Sequence, residues 1–260
     1  MKTSYHNHTP RCHHAFGTEE EFAAAAYAAG YEKFGFSDHT PYPFREGYVS
    51  SVRMSIGEME GYVRSLLSLR ERYKGKMEIY IGFETEYYPQ YFDRLLDEYR
   101  KYPIDYLLLG QHGFGAAEGD EGWINSFSET DSAEKLLLYT DTVIEAIRTG
   151  RFSCVAHPDV FHFVGDADLY REQARRLIRT ANACGVLLEV NMYGTKNERH
   201  YPNPLFWDEA GALGAKVILG RDAHSVDRVE PVEEYLSAMQ FVEKHKLDLQ
   251  DDMRLIRPLF

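Results

Sequence analysis

Short apolar runs rich in β-branched and aromatic residues recur along the whole chain, and nearly every one is closed by a histidine, an aspartate or a glutamate. These runs read as strands at Thr3–His8, Lys33–Ser37, Met77–Glu84, Tyr106–Gly110, Phe152–Ala156, Gly185–Val190 and Lys216–Gly220. Tyr106-Leu-Leu-Leu, Val186-Leu-Leu-Glu-Val and Val217-Ile-Leu are continuous rather than alternating, the pattern of strands covered on both faces in a parallel sheet. Helical patterns fill the intervals at Thr18–Ala29, Ile56–Tyr73, Gln90–Tyr102, Ser132–Thr149, Asp168–Cys184 and Pro204–Gly214, with a last helix at Pro231–Lys246. Thr18-Glu-Glu-Glu and Asp131-Ser-Ala-Glu carry helix-start chemistry, and Gly30, Gly150, Gly185 and Gly214 stand where helices should stop. Seven β-then-α units in 260 residues predict an α/β fold, a single domain over 1–260 closed or nearly closed into a barrel. The alternative is a doubly wound open sheet, but no Gly-rich phosphate loop follows any strand. The acidic stretch Asp248–Asp252 and the tail to Phe260 are expected to be loosely ordered.

Composition narrows the function. Hydrophobic residues at 44% supply a core that needs no disulfides. The balance of 29 basic and 41 acidic side chains, a net charge of -12, is the reverse of a non-specific nucleic-acid binder. Bound divalent cations would offset part of that charge, so an anionic substrate is not excluded. Cys12, Cys154 and Cys184 are odd in number and form no CxxC pair, which predicts reduced thiols in a cytoplasmic protein. No stretch is long and apolar enough to span a membrane. The segment before His6 lacks the apolar core of a signal peptide.

In a parallel barrel the active site lies at the C-terminal ends of the strands. In order, those ends carry His6 and His8, His39, Glu84, His112, His157, Glu189 or Asn191, and Asp222 with His224. Residues two apart on a strand share a face, so His6 and His8 can reach one ion. In Cys12-His13-His14 either imidazole or the thiol can point inward. A glutamate closing an apolar strand, as Glu84 does, is costly to bury without a cation or a basic partner. Each residue alone has a bland explanation in packing or a salt bridge; one such residue at six strand ends does not. Imidazoles and carboxylates suit zinc, manganese or iron, with no thiolate required. His13, His200 and His245 read as loop or helix-surface residues, and His162, just beyond His157, is a candidate substrate contact.

Together, His6-Asn-His8-Thr, Gly35-Phe-Ser-Asp-His39, Gly82-Phe-Glu84, Leu109-Gly-Gln-His112, Ala156-His157-Pro-Asp159 and Asp222-Ala-His224 resemble the PHP (polymerase and histidinol phosphatase) superfamily of metal-dependent phosphoesterases. Within it, the chain is most similar to the stand-alone histidinol-phosphatases. The resemblance implies a distorted seven-stranded (β/α) barrel, a TIM-like PHP fold, with three divalent metal ions. It gives His6, His8, Glu84 and Asp222 to the first ion. Glu84, His112 and His157 go to the second, with Glu84 bridging, and His14, His39 and His224 to the third. It favours His14 over His13 because the family's ligand lies six residues after the second histidine of the HxH motif.

The implied reaction is hydrolysis of L-histidinol phosphate to L-histidinol and phosphate by a metal-activated hydroxide, with Glu84 and Asp222 as catalytic carboxylates. Either Asp222 or a metal-bound water would shuttle protons. The loop after the sixth strand supplies Asn191, Lys196 and Arg199 as candidate substrate contacts, of which Arg199 is the better bidentate phosphate partner. Arg221, where the family often has a small residue, either reaches the phosphate or pairs outside the site. Two other readings stand beside this one. The chain could be a PHP phosphoesterase acting on a nucleotide, a sugar phosphate or phosphotyrosine, or a non-catalytic PHP-like regulatory module. Every expected ligand position holds a competent residue, which counts against the last. A C–N hydrolase of amidohydrolase type shares the HxH start, but Glu84 and the Asp222/His224 ending favour phosphoester chemistry.

Overall fold

Eight parallel strands form one curled sheet whose spatial order is the chain order: β1 Thr3–Ser4, β2 Lys33–His39, β3 Glu78–Thr85, β4 Tyr106–Leu109, β5 Cys154–Val155, β6 Leu187–Asn191, β7 Lys216–Gly220 and β8 Asp248–Leu249. The computed structural model describes residues 1–196, 199–230 and 232–258, and only the backbone of Thr195 and Lys196. Helices α1 Glu19–Ala28, α2 Met59–Arg72, α3 Pro89–Tyr99, α4 Ala133–Arg148, α5 Ala167–Cys184, α6 Met192–Lys196, α7 Pro204–Ala212 and α8 Val232–Lys244 connect the strands. None is long and apolar enough to cross a membrane, among the described residues.

Local chemistry sets the helix ends. Thr18 accepts from the Glu21 amide while the Glu21 side chain reaches back to Thr18, a complete capping box. Ser132 and Asp166 cap α4 and α5, and Gly185 ends α5 in the left-handed region at φ 68°.

Two apolar layers result. The larger packs the outer face of the sheet against the helices, with Phe22, Leu66, Leu95, Val143, Ile178 and Trp207 all buried. The smaller fills the inside of the curl with Tyr5, Tyr106, Leu108, Cys154, Leu187, Ile218 and Met253. Tyr106 lies over Gly35 and Gly82, where an added Cβ would come within 2.3 and 2.5 Å of its ring or hydroxyl. Its hydroxyl donates to the Tyr5 carbonyl at 2.6 Å. This plug closes the curl, so polar chemistry is confined to the opposite, C-terminal ends of the strands.

The structure departs from the sequence reading at several places, among them α6 in the segment read as a loop and His245, read as a loop or helix-surface residue but 5% exposed. Of the expected Thr3–His8 strand only Thr3–Ser4 form a regular ladder with β2; Asn7 still accepts from the Ser37 amide at 2.8 Å but also bridges Ala223, with the His8 amide donating to the Ala223 carbonyl at 2.9 Å. That bridge joins the two sides of the curl. The acidic stretch expected to be loose instead supplies β8, paired to β7 as Asp248↔Lys216 and Leu249↔Val217. An unexpected hairpin, Gly113–Phe114 with Ile124–Asn125, follows β4 and builds one wall of the cavity described next.

Candidate metal centre

The β2–β3 register sets His39 directly beside Glu84, and the Asn7–Ala223 bridge brings the His6/His8 segment against the Asp222/His224 segment. Asp222 and His157 hold left-handed backbone, φ 50° and 29°, a costly conformation for residues other than glycine that turns their side chains out of the strand direction. Local strain of this kind concentrates where a site needs it.

Glu84 lies at the centre, 1% exposed. Its Oε1 is 2.8 Å from His157 Nε2 and 3.2 Å from His112 Nε2. Its Oε2 is 3.1 Å from His39 Nδ1, 3.4 Å from His6 Nε2 and 3.5 Å from His8 Nε2. The two oxygens thus face different sets of imidazoles. Asp222 Oδ1 lies 3.2 Å from His8 Nε2, 3.3 Å from His224 Nδ1 and 3.6 Å from His6 Nε2. The His224 ring stacks on His8 at 4.0 Å, with His14 4.7 Å from it on the exposed side. All nine side chains assigned as ligands therefore gather at one place.

The donor set fits cations. His6 Nε2, both ring nitrogens of His8, His39 Nδ1, His157 Nδ1 and His224 Nε2 are buried and make no hydrogen bond. Buried polar atoms ordinarily find a partner, and three of these orphans, His6 Nε2, His8 Nε2 and His39 Nδ1, face Glu84 or Asp222 at 3.1–3.6 Å, which points to a positive group between them. Groups such as His6/His8/Asp222, His6/Glu84/His157 and His8/His39/His224 bring their ligand atoms within 4.8 Å of one another.

Electrostatics agree. Burial would raise the Glu84 carboxyl, but His112, His6 and His39 hold it well below the carboxylate range; His6 and His8 do the same for Asp222. Burial would lower His112, yet Glu84 and Glu86 push it up to about 10. Burial and the neighbouring His8 instead drop His224 to about 3, and His39 is lowered for the same reasons.

Around these side chains lies a second layer, of which sequence reasoning raised Glu189 and Cys12 without a role and missed Glu86 and Arg53. Glu189, left open beside Asn191 in the sequence, receives His6 Nδ1 at 2.9 Å on both its oxygens. Glu86 receives His112 Nδ1 at 2.9 Å and is held in turn by a two-pronged pair with the buried Arg53. Such carboxylates fix the ring tautomer and aim the other nitrogen inward. Cys12, fully buried, lies among His8, His14 and Asp38. Burial would raise its thiol, but His14 and His8 hold it below its ordinary value.

The centre opens into a cavity of about 420 Å³, walled by Tyr88, Trp123, Phe127, Tyr193 and Tyr201. Of the candidate substrate contacts, Arg199 reaches this wall, its guanidinium 5.9 Å from the Phe127 and Tyr193 rings. The Lys196 side chain lies outside the described residues. Three others are placed elsewhere. Asn191 is buried behind the centre, its amide donating to Asp222 at 3.1 Å. Arg221, 4% exposed, donates to the Tyr31 hydroxyl at 2.8 Å, because the apolar strand before it carries it toward α1. His162 stacks on His200 at 4.0 Å and lines no part of the cavity.

The profile of the PHP domain family matches residues 4–192. The chain belongs to the PHP domain family. It is 27% identical over 230 residues, 86% of each chain, to a Deinococcus radiodurans protein named "probable histidinol-phosphatase". It is 30% identical over 115 residues to the histidinol-phosphatase of Bacillus subtilis, covering 42% of this chain and 43% of that one. The fold superposes with a TM-score of 0.71 at 19% identity on a histidinol phosphate phosphatase from Lactococcus lactis, solved with zinc, L-histidinol and phosphate, over 95% of both chains. Because the PHP match begins at Ser4 and runs through β6, it spans seven of the nine candidate ligands, all but Asp222 and His224, while Tyr193, Arg199 and Tyr201 of the cavity wall lie beyond it.

Proposed function

We propose that this PHP domain is a single unit over 1–260, a distorted seven-stranded barrel with β8 as a short addition, that hydrolyses L-histidinol phosphate to L-histidinol and phosphate. The observation that carries the reading is the buried Glu84, whose two oxygens face separate imidazole sets across an open, aromatic-walled cavity. The histidinol-phosphatase names of the relatives supply the substrate.

Three divalent ions, zinc, manganese or iron, would be held as His6/His8/Glu84/Asp222, Glu84/His112/His157 and His14/His39/His224. When bound, they would supply a nucleophile at neutral pH and neutralise the phosphate oxygens. The chain's own residues do the rest. Glu84 and Asp222 keep two negative charges at buried positions. Glu189 and Glu86 lock the His6 and His112 rings, so the donors are preorganised. Arg199 at the rim offers a fork-shaped cation to a phosphate. The aromatic walls exclude water and offer flat faces to an imidazole ring.

The test is a panel of phosphomonoesters assayed on metal-replete protein. Histidinol phosphate should exceed nucleotides, sugar phosphates and phosphotyrosine in kcat/KM by orders of magnitude. Activity should vanish on chelation and return with metal. A higher constant for another ester would overturn the substrate, and full activity after verified metal removal would overturn the mechanism.

A further inference from the structure

The segment Cys12-His13-His14 left open in the sequence which side chain points inward, and the structure turns two of them the same way. A single 3-10 turn, Pro10–Cys12, is capped by Thr9, and His13 follows in the left-handed region at φ 66° with its amide on the Pro10 carbonyl. After that reversal His13 and His14 are both exposed, but the His14 ring turns back to the centre, 4.7 Å from the His224 ring, and the Cys12 beside it is 0% exposed. The Cys12 sulfur and a ligand nitrogen of each of His14 and His224 lie within 4.8 Å of one another. His224 Nε2 is buried without a hydrogen bond, and so is the Nδ1 of the fully buried His8, which groups with the same sulfur and Asp38.

We propose that Cys12 supplies a thiolate ligand to the ion held by His14 and His224, making that position a mixed sulfur–nitrogen site. This rests on the reading of the cavity as a metal centre. On binding, the sulfur–hydrogen bond breaks, the proton passes to solvent and the sulfur–metal bond forms, with no redox change. A sulfur donor among imidazoles favours zinc or iron(II) over manganese at this position, whereas the carboxylate-rich positions around Glu84 do not discriminate in that way.

X-ray absorption of the zinc-loaded protein should show a sulfur scatterer at about 2.3 Å beside the nitrogen and oxygen shell. Cobalt-loaded wild type should show a near-ultraviolet thiolate-to-cobalt band. The band should persist in Cys184→Ser, whose thiol is exposed. It should disappear in Cys12→Ser, with metal affinity at one position weakened at least about 10–100-fold, as when a ligand-orienting group is lost. A zinc shell of nitrogen and oxygen alone in fully loaded protein, or a band that survives in Cys12→Ser, overturns the assignment while leaving the metal centre standing. Protein that takes up no divalent metal overturns both.

Discussion

Two glycines decide where the buried carboxylates can lie. A Cβ on Gly110 would sit 2.1 Å from Glu84 Oε1, and one on Gly220 would sit 1.4 Å from Glu189 Oε1. Glu84 cannot retreat, because imidazoles occupy its other sides. Gly110→Ala should therefore displace Glu84 without disturbing the ladder, lowering metal content and reducing kcat/KM by about 10–100-fold. Metal analysis beside far-ultraviolet circular dichroism checks this; unchanged metal content would sink it. Glu84→Gln keeps the volume but removes the charge, and should lose both metal and activity; near-normal activity there would end the bridging role. Most of the histidines and carboxylates were legible in the sequence because they follow apolar runs, whereas His14 was chosen over His13 by the family resemblance alone. The glycines were not, because their meaning depends on register: Glu84 pairs with Leu108, which brings its side chain across to the residue two further on.

Helix ends were readable for a different reason, since a cap is written within four residues. The capping box at Thr18 and Glu21 closes α1, and Thr18 lines no part of the cavity. Thr18→Ala should cost about 1 kcal/mol and lower Tm by about 2–4 °C, with metal uptake unchanged. A loss of metal in that variant would mean that α1 is coupled to the centre. The Arg53–Glu86–His112 chain is the opposite case, joining a loop, the residue just past β3 and one three residues past β4 that no local pattern connects. Arg53 is 5% exposed and also pairs with Glu118, so Arg53→Met takes the guanidinium from two carboxylates, leaving Glu86 to the His112 ring and Glu118 to the Tyr48 and Ser50 hydroxyls. Removing one partner of a buried pair costs about 3–5 kcal/mol. Arg53→Met should thus destabilise far more than Thr18→Ala in urea titrations, and should also weaken metal binding by freeing the His112 ring. Equal losses in the two variants would contradict the buried-pair argument.

Over the whole molecule the seam of the curl is its least supported line. At the cavity end it is held by the Asn7–Ala223 bridge, flanked by the residues of the candidate centre. At the other end no ladder spans it among the described residues. The chain after β8 crosses instead: the Asp251 carbonyl accepts from Thr3 Oγ1 at 2.7 Å, Asp252 receives Tyr5 and Lys33, and Met253 enters the inner core. The Ile256 amide then donates to Ser153 Oγ at 2.8 Å. Acidic composition predicted disorder here because these partners, nearly the whole chain away in sequence, could not be foreseen. Deletion after Gln250 should lower Tm and speed hydrogen exchange at the His8 and Phe16 amides, which bond across the seam, before it affects amides in β3. Asp252→Ala is the narrower test. Burial would raise the Asp252 carboxyl, but Lys33 and Tyr5 hold it below its ordinary value. A depressed carboxyl contributes stability that is present above its unfolded pKa, about 3.9, and is lost as pH falls through the folded value. The stability gap between wild type and Asp252→Ala should therefore be full at neutral pH and shrink below about pH 4. A gap that stays constant with pH, or His8 protection unchanged by the deletion, would show that the tail merely covers the seam rather than holding it.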